Sequence, residues 1–126
     1  MNLAIKINPE NVDAYYCRAR SLFGNGDFTG ALADYNKLIP LYPANPVLYN
    51  GRGMVYHNLN DLDRAFSDYS QAIKLNPEQA DAYNNRGIIY FNRGDTVKAL
   101  ADIEAAVRIE PDNETYTGNL QFLKEQ

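Results

Sequence analysis

Apolar and aromatic residues recur along this chain in short stripes separated by polar breaks. Tyr15, Ala19 and Leu22 stand at i, i+4 and i+7, as do Tyr49, Gly53 and Tyr56, and again Tyr83, Gly87 and Tyr90. That spacing puts each trio on one face of an α-helix. A second stripe follows each first one: Ala31, Tyr35 and Leu38; Ala65, Tyr69 and Ala72; Ala99, Ile103 and Ala106. Between the stripes stand Gly26-Asp27, Asn60-Asp61 and Gly94-Asp95. Gly or Asn accepts a left-handed turn, and the Asp behind it can cap the next helix. Each second stripe stops before Pro43, Pro77 or Pro111, because proline lacks a backbone N–H and restricts the residue ahead of it. The pattern predicts antiparallel helix pairs of about 12–14 residues per helix.

The stripes repeat with a fixed period. Pro9, Pro43, Pro77 and Pro111 are each 34 residues apart, and the same offset relates the other columns without a gap. Three full units therefore run over 12–45, 46–79 and 80–113. Residues 1–11 align through Ala4, Ile5, Ile7 and Pro9 with the tail of a preceding partial repeat, and 114–126 suit a C-terminal capping helix. All belong to one solenoid domain. An uncapped N-terminal edge would expose apolar surface and is the expected route to a homo-oligomer, by domain swapping or end-to-end contact.

A 34-residue helix-turn-helix carrying an aromatic, a small residue, a Tyr, an Ala, an aromatic and a terminal Pro in order resembles the tetratricopeptide repeat. The resemblance covers residues 12–113. It implies an all-α, right-handed superhelical solenoid whose first helices line a concave groove that holds an extended peptide. By that resemblance the peptide-binding residues are Tyr16, Arg20 and Phe23 in the first unit, Asn50, Met54 and His57 in the second, and Asn84, Asn85, Ile88 and Phe91 in the third. An asparagine offers a donor and an acceptor together, so it can pair with a passing backbone whatever the side chains are. Chaperone-binding members of the family clamp an acidic C-terminal tail with cations on these helices. The matching places here hold Tyr16, Arg20, Gly51, Asp81 and Asn85, of which only Arg20 is cationic. The expected partner is therefore a protein or peptide other than an acidic chaperone tail. The alternative function is a structural or self-assembling array joined through its end helices.

The chain departs from the family pattern where Tyr replaces the opening Trp and where Arg18, Arg52 and Arg86 fill a leucine column. An arginine in a packing column is costly unless a carboxylate meets it. Asp34, Asp68 and Asp102 stand sixteen residues later, on the second helices. At the next position of the column, where no second helix follows, the residue is Leu120. This arrangement predicts three structural ion pairs, Arg18–Asp34, Arg52–Asp68 and Arg86–Asp102.

Composition narrows the function further. Twelve basic against sixteen acidic residues give a net charge of −4, which lacks the basic footprint of a nucleic-acid binder. No apolar run approaches the ~20 residues of a membrane helix, and neither a nucleic acid nor a membrane is expected as partner. Residues 1–20 lack the layout of a signal peptide, which favours the cytoplasm. A single cysteine excludes an internal disulfide framework. Cys17 and His57 are the only thiol and imidazole, and on neighbouring first helices they are offset by roughly 9 Å of rise, too far for a nucleophile–base pair. No catalytic residues, metal or cofactor are expected, and the chain does not read as an enzyme.

Overall fold

The computed structural model describes residues 10–126, with side chains from Ala14 onward. Up to residue 9, the partial repeat expected over 1–11 lies outside the described residues. Among those described are seven helices: α1 (Glu10–Gly24), α2 (Phe28–Leu41), α3 (Pro46–Asn58), α4 (Leu62–Leu75), α5 (Ala80–Asn92), α6 (Thr96–Ile109) and α7 (Glu114–Lys124). The breaks within the pairs follow turn chemistry. Gly26, Asn60 and Gly94 take positive φ of 84°, 63° and 85°, the left-handed region that Gly and Asn tolerate. Asp27, Asp61 and Asp95 then accept from the backbone N–H groups of Gly30, Arg64 and Lys98 at 2.9, 3.3 and 3.1 Å. Each satisfies one of the orphan donors of the second helix.

The connections are short, so consecutive helices run antiparallel, and the packing follows the chain. The pairs α1/α2, α3/α4 and α5/α6 make the most extensive contacts, followed by α2/α3, α4/α5 and α6/α7. First helices also touch one another, α1 against α3 and α3 against α5. The result is an all-α solenoid. Its core is built from the inward stripes. Tyr15, Ala19, Ala31, Tyr35 and Leu38 cluster with Leu48 and Val55 across the first two pairs. Ala65 and Tyr69 meet Ile89, and Ala99 and Ile103 meet Leu123 with Leu120 beside them. Leu120 thus packs apolar against α6 where the earlier units carry arginine.

Glycines set how closely helices approach. A Cβ on Gly53 would lie 2.7 Å from the Tyr69 ring, and one on Gly87 would lie 2.8 Å from Ile103 and 3.2 Å from the Ala99 carbonyl oxygen. The Tyr and Ile of each second helix therefore sit directly over the first-helix backbone.

One cap is imperfect. Asn45 and Asn113 accept from the N–H groups of Val47 and Tyr116 at 3.0 and 3.2 Å. Gln79 occupies the same column but makes no side-chain cap, and its Oε1 is buried without a hydrogen-bond partner. Gln79→Asn is expected to stabilise the protein by about 1 kcal/mol. Urea unfolding reads this as a higher midpoint; an unchanged or lower one would show that the longer side chain is already satisfied.

Candidate functional site

The arginine column is paired in the structure. Arg18 Nε and Nη2 donate to the two oxygens of Asp34 at 2.8 and 2.6 Å. Arg52 does the same to Asp68, both at 2.8 Å, and Arg86 to Asp102 at 2.8 and 2.9 Å. Such two-pronged contacts are the strong geometry for guanidinium and carboxylate. The carboxylates are buried in all three pairs, but the arginines differ: 21% and 20% of the Arg52 and Arg86 side chains are exposed, against 55% for Arg18. The last two also reach backwards, Arg52 Nη1 to Asn36 at 3.0 Å and Arg86 Nη1 to Ser70 at 3.2 Å. Each guanidinium further sits near aromatic faces of its own helix, Arg52 beside Tyr49 and Tyr56, Arg86 beside Tyr83 and Tyr90. Arg52 and Arg86 are internal ties, with their donors committed inside the fold, whereas Arg18 is half open to solvent.

The groove candidates divide between two clefts and the interior. Tyr16, Arg20 and Phe23 of α1 share a cleft of about 290 Å³ with Asn50, Gly51 and Met54 of α3, Asp81 of α5 and Tyr35 of α2. Tyr16 packs edge-on against Tyr35, Phe23 against Phe28, and the Arg20 guanidinium lies 5.8 Å from the centre of the Tyr16 ring. Asn50 is 4% exposed. Its amide donates to Asp81 Oδ2 at 3.0 Å and approaches the Met54 sulfur at 3.9 Å, while its Oδ1 accepts from Asn85 at 3.5 Å. The expectation that Asn50 offers a full amide to a ligand is thereby corrected: its donor and acceptor already bridge α3 and α5.

Ile88 and Phe91 lie apart from this cleft. They line a smaller, mostly apolar one of about 130 Å³ with Gly87, Ile103, Asn119, Phe122 and Leu123, and Phe91 packs edge-on against Phe122. Asn84 is also corrected as a ligand contact. It is 5% exposed and its Oδ1 accepts from Asn119 at 2.9 Å, which places it in the seam between α5 and α7.

His57 is half-buried, its Nδ1 3.2 Å from the Tyr69 hydroxyl. Burial holds its pKa below the ordinary imidazole value of 6.5. As pH falls, the unfolded chain takes up this proton before the folded one, so the stabilisation is complete above pH 6.5 and lost as pH drops toward the depressed folded value. Unfolding measured across that window should show a shallower loss of stability in His57→Gln than in the parent; parallel curves would contradict the burial argument.

Five residues of these clefts, Tyr35, Ile103, Asn119, Phe122 and Leu123, escape the reading of first helices alone. Tyr35 comes from a second helix and is reached because Gly51 has no side chain: a Cβ there would lie 2.5 Å from the Tyr35 Cζ. Asn119 comes from the terminal helix. Among the described residues no group of three or more His, Cys, Asp or Glu is placed to hold a metal ion, and no helix is long and apolar enough to cross a membrane.

Comparison with known proteins places this geometry. The tetratricopeptide repeat model matches residues 53–117, and a second model of the same description matches 4–46. No curated protein matches the chain. Among solved structures, the first TPR of Spaghetti (RPAP3) bound to the HSP90 peptide SRMEEVD is 27% identical, with 96% of each chain covered and a TM-score of 0.86. The first TPR domain of the human RPAP3 protein is 28% identical over 94% of this chain and 93% of that one, with a TM-score of 0.86. The second human RPAP3 TPR domain, in complex with the HSP70 peptide SGPTIEEVD, is 27% identical over 89% and 93%, with a TM-score of 0.79.

Those peptides overturn the exclusion of an acidic chaperone tail, which rested on Arg20 being the one cation among Tyr16, Arg20, Gly51, Asp81 and Asn85. A count of cations is a poor guide because hydroxyl and amide groups, such as those of Tyr16 and Asn85, also donate to carboxylates. Fixed 34-residue columns, paired helices capped by Asp, small residues beneath aromatic rings, and family matches over both halves lead to one assignment: the chain belongs to the tetratricopeptide repeat family.

Proposed function

We propose that this protein is a non-catalytic interaction module that holds an extended peptide against its first helices, with an acidic C-terminal segment as the ligand class. In this reading the units 12–45, 46–79 and 80–113 supply α1, α3 and α5 as the wall, and 114–126 closes the array. The observation that carries it is the cleft shared by these three helices, into which Arg20 projects a guanidinium that has no ion-pair partner among the described residues. A cation held beside an aromatic ring at the mouth of a cleft suits a carboxylate. Tyr16 and Asn85 supply neutral donors, and Phe23 and Met54 apolar surface for intervening side chains. Relatives 27% identical to this chain hold peptides ending in EEVD, which supports that ligand class.

The test is fluorescence anisotropy with labelled SRMEEVD. The parent should bind saturably, and Arg20→Ala should weaken binding about ten- to hundredfold, the worth of one charge-assisted contact. An absence of saturable binding, or equal affinity for Arg20→Ala, would overturn the assignment.

A further inference from the structure

The wall of the main cleft carries two opposite charges that do not meet. Arg20 comes from α1 and Asp81 from the first turn of α5. Neither forms an ion pair with any described residue. Tyr16 lies between them electrostatically: burial raises its pKa, Arg20 lowers it and Asp81 raises it. Asp81 is exposed, yet its Oδ2 accepts from the buried amide of Asn50 on α3. That bond ties the carboxylate across the groove and separates it from a freely solvated helix-start charge.

We infer that Asp81 is a specificity-determining residue: it selects peptides that carry a basic side chain alongside their acidic terminus, the acidic end meeting Arg20 and the basic side chain meeting Asp81. This rests on the peptide-binding reading above. A ligand with carboxylates alone leaves Asp81 facing like charge within a chain whose net charge is already −4, and like-charge juxtaposition is how binding sites reject wrong partners. A ligand with one Arg or Lys at the right place turns the same carboxylate into a contact. The peptide SRMEEVD carries an arginine five residues before its terminal aspartate.

The experiment compares SRMEEVD with SAMEEVD on the parent and on Asp81→Asn, which keeps the shape and an acceptor for Asn50. The parent should prefer SRMEEVD by about three- to fivefold, the upper range of an exposed ion pair, and the preference should shrink as salt is raised. Asp81→Asn should bind the two peptides within about twofold. Equal binding of both by the parent, or an undiminished preference in Asp81→Asn, would overturn the inference while leaving peptide binding intact. Failure of both peptides to saturate the parent would overturn the peptide-binding reading itself, and this inference with it.

Discussion

Arg52→Ala is expected to destabilise the protein by about 3–5 kcal/mol, because it leaves the Asp68 carboxylate buried without its guanidinium. Asp68 is 4% exposed and accepts two bonds from Arg52 at 2.8 Å. Truncation also releases Asn36, which accepts from Arg52 Nη1 at 3.0 Å, and removes a cation from beside Tyr49 and Tyr56. The same change at Arg18 should cost less, about 1–3 kcal/mol: Asp34 is as buried as Asp68, but 55% of the Arg18 side chain is exposed, so water reaches the carboxylate more readily once that side chain is gone. Thermal unfolding of the two variants checks the contrast. A melting temperature for Arg52→Ala within about 2 °C of the parent would mean that solvent already satisfies Asp68.

Tyr69→Ala should cost a similar amount, about 3–5 kcal/mol, through the cavity left by a ring that is 1% exposed. Its more informative use is in combination with Gly53. In the parent, Gly53→Ala should destabilise by about 1–3 kcal/mol, since the new methyl would stand 2.7 Å from Tyr69 Cε1 and 3.3 Å from Asp68 Cβ. With the ring gone, most of that conflict disappears and the helix-forming advantage of Ala over Gly, roughly 1 kcal/mol, emerges. The sign of the Gly53→Ala effect should therefore reverse in the Tyr69→Ala background. A double-mutant cycle by urea unfolding measures it; simple additivity would show that Gly53 is not there to admit the ring.

The architecture was legible because its determinants are local and periodic. Helix breaks followed from Gly26, Asn60 and Gly94 with the Asp after each, and the core from stripes at helical spacing. The arginine–aspartate partnership was readable as well, since both members recur in each unit and Leu120 appears where the second member is missing. The groove was harder. Asn50 and Asn84 looked like ligand contacts, yet they bond to Asn85 and Asn119, each 35 residues away. A partner displaced by one residue from a 34-residue period is invisible to column alignment and depends on the rotation of neighbouring helices. Tyr35 was recognised as an inward residue, but its exposure to the cleft depends on the missing side chain of Gly51, a relation between two units. Cation counting at five positions likewise excluded an acidic tail on too little, because it ignored neutral donors.

Arg52 and Arg86 each grip one residue sixteen places ahead and one sixteen places behind. A joint with fixed reach in both directions constrains how such a gene can change in length. Duplicating or deleting a whole unit reproduces every joint, so the array can grow or shrink without new chemistry. Inserting a single codon within the helix or turn between an arginine and either of its grips shifts a full helix face by about 100° and disconnects that joint. Length variation in proteins built this way should therefore come in whole units, or in the connections that no arginine spans.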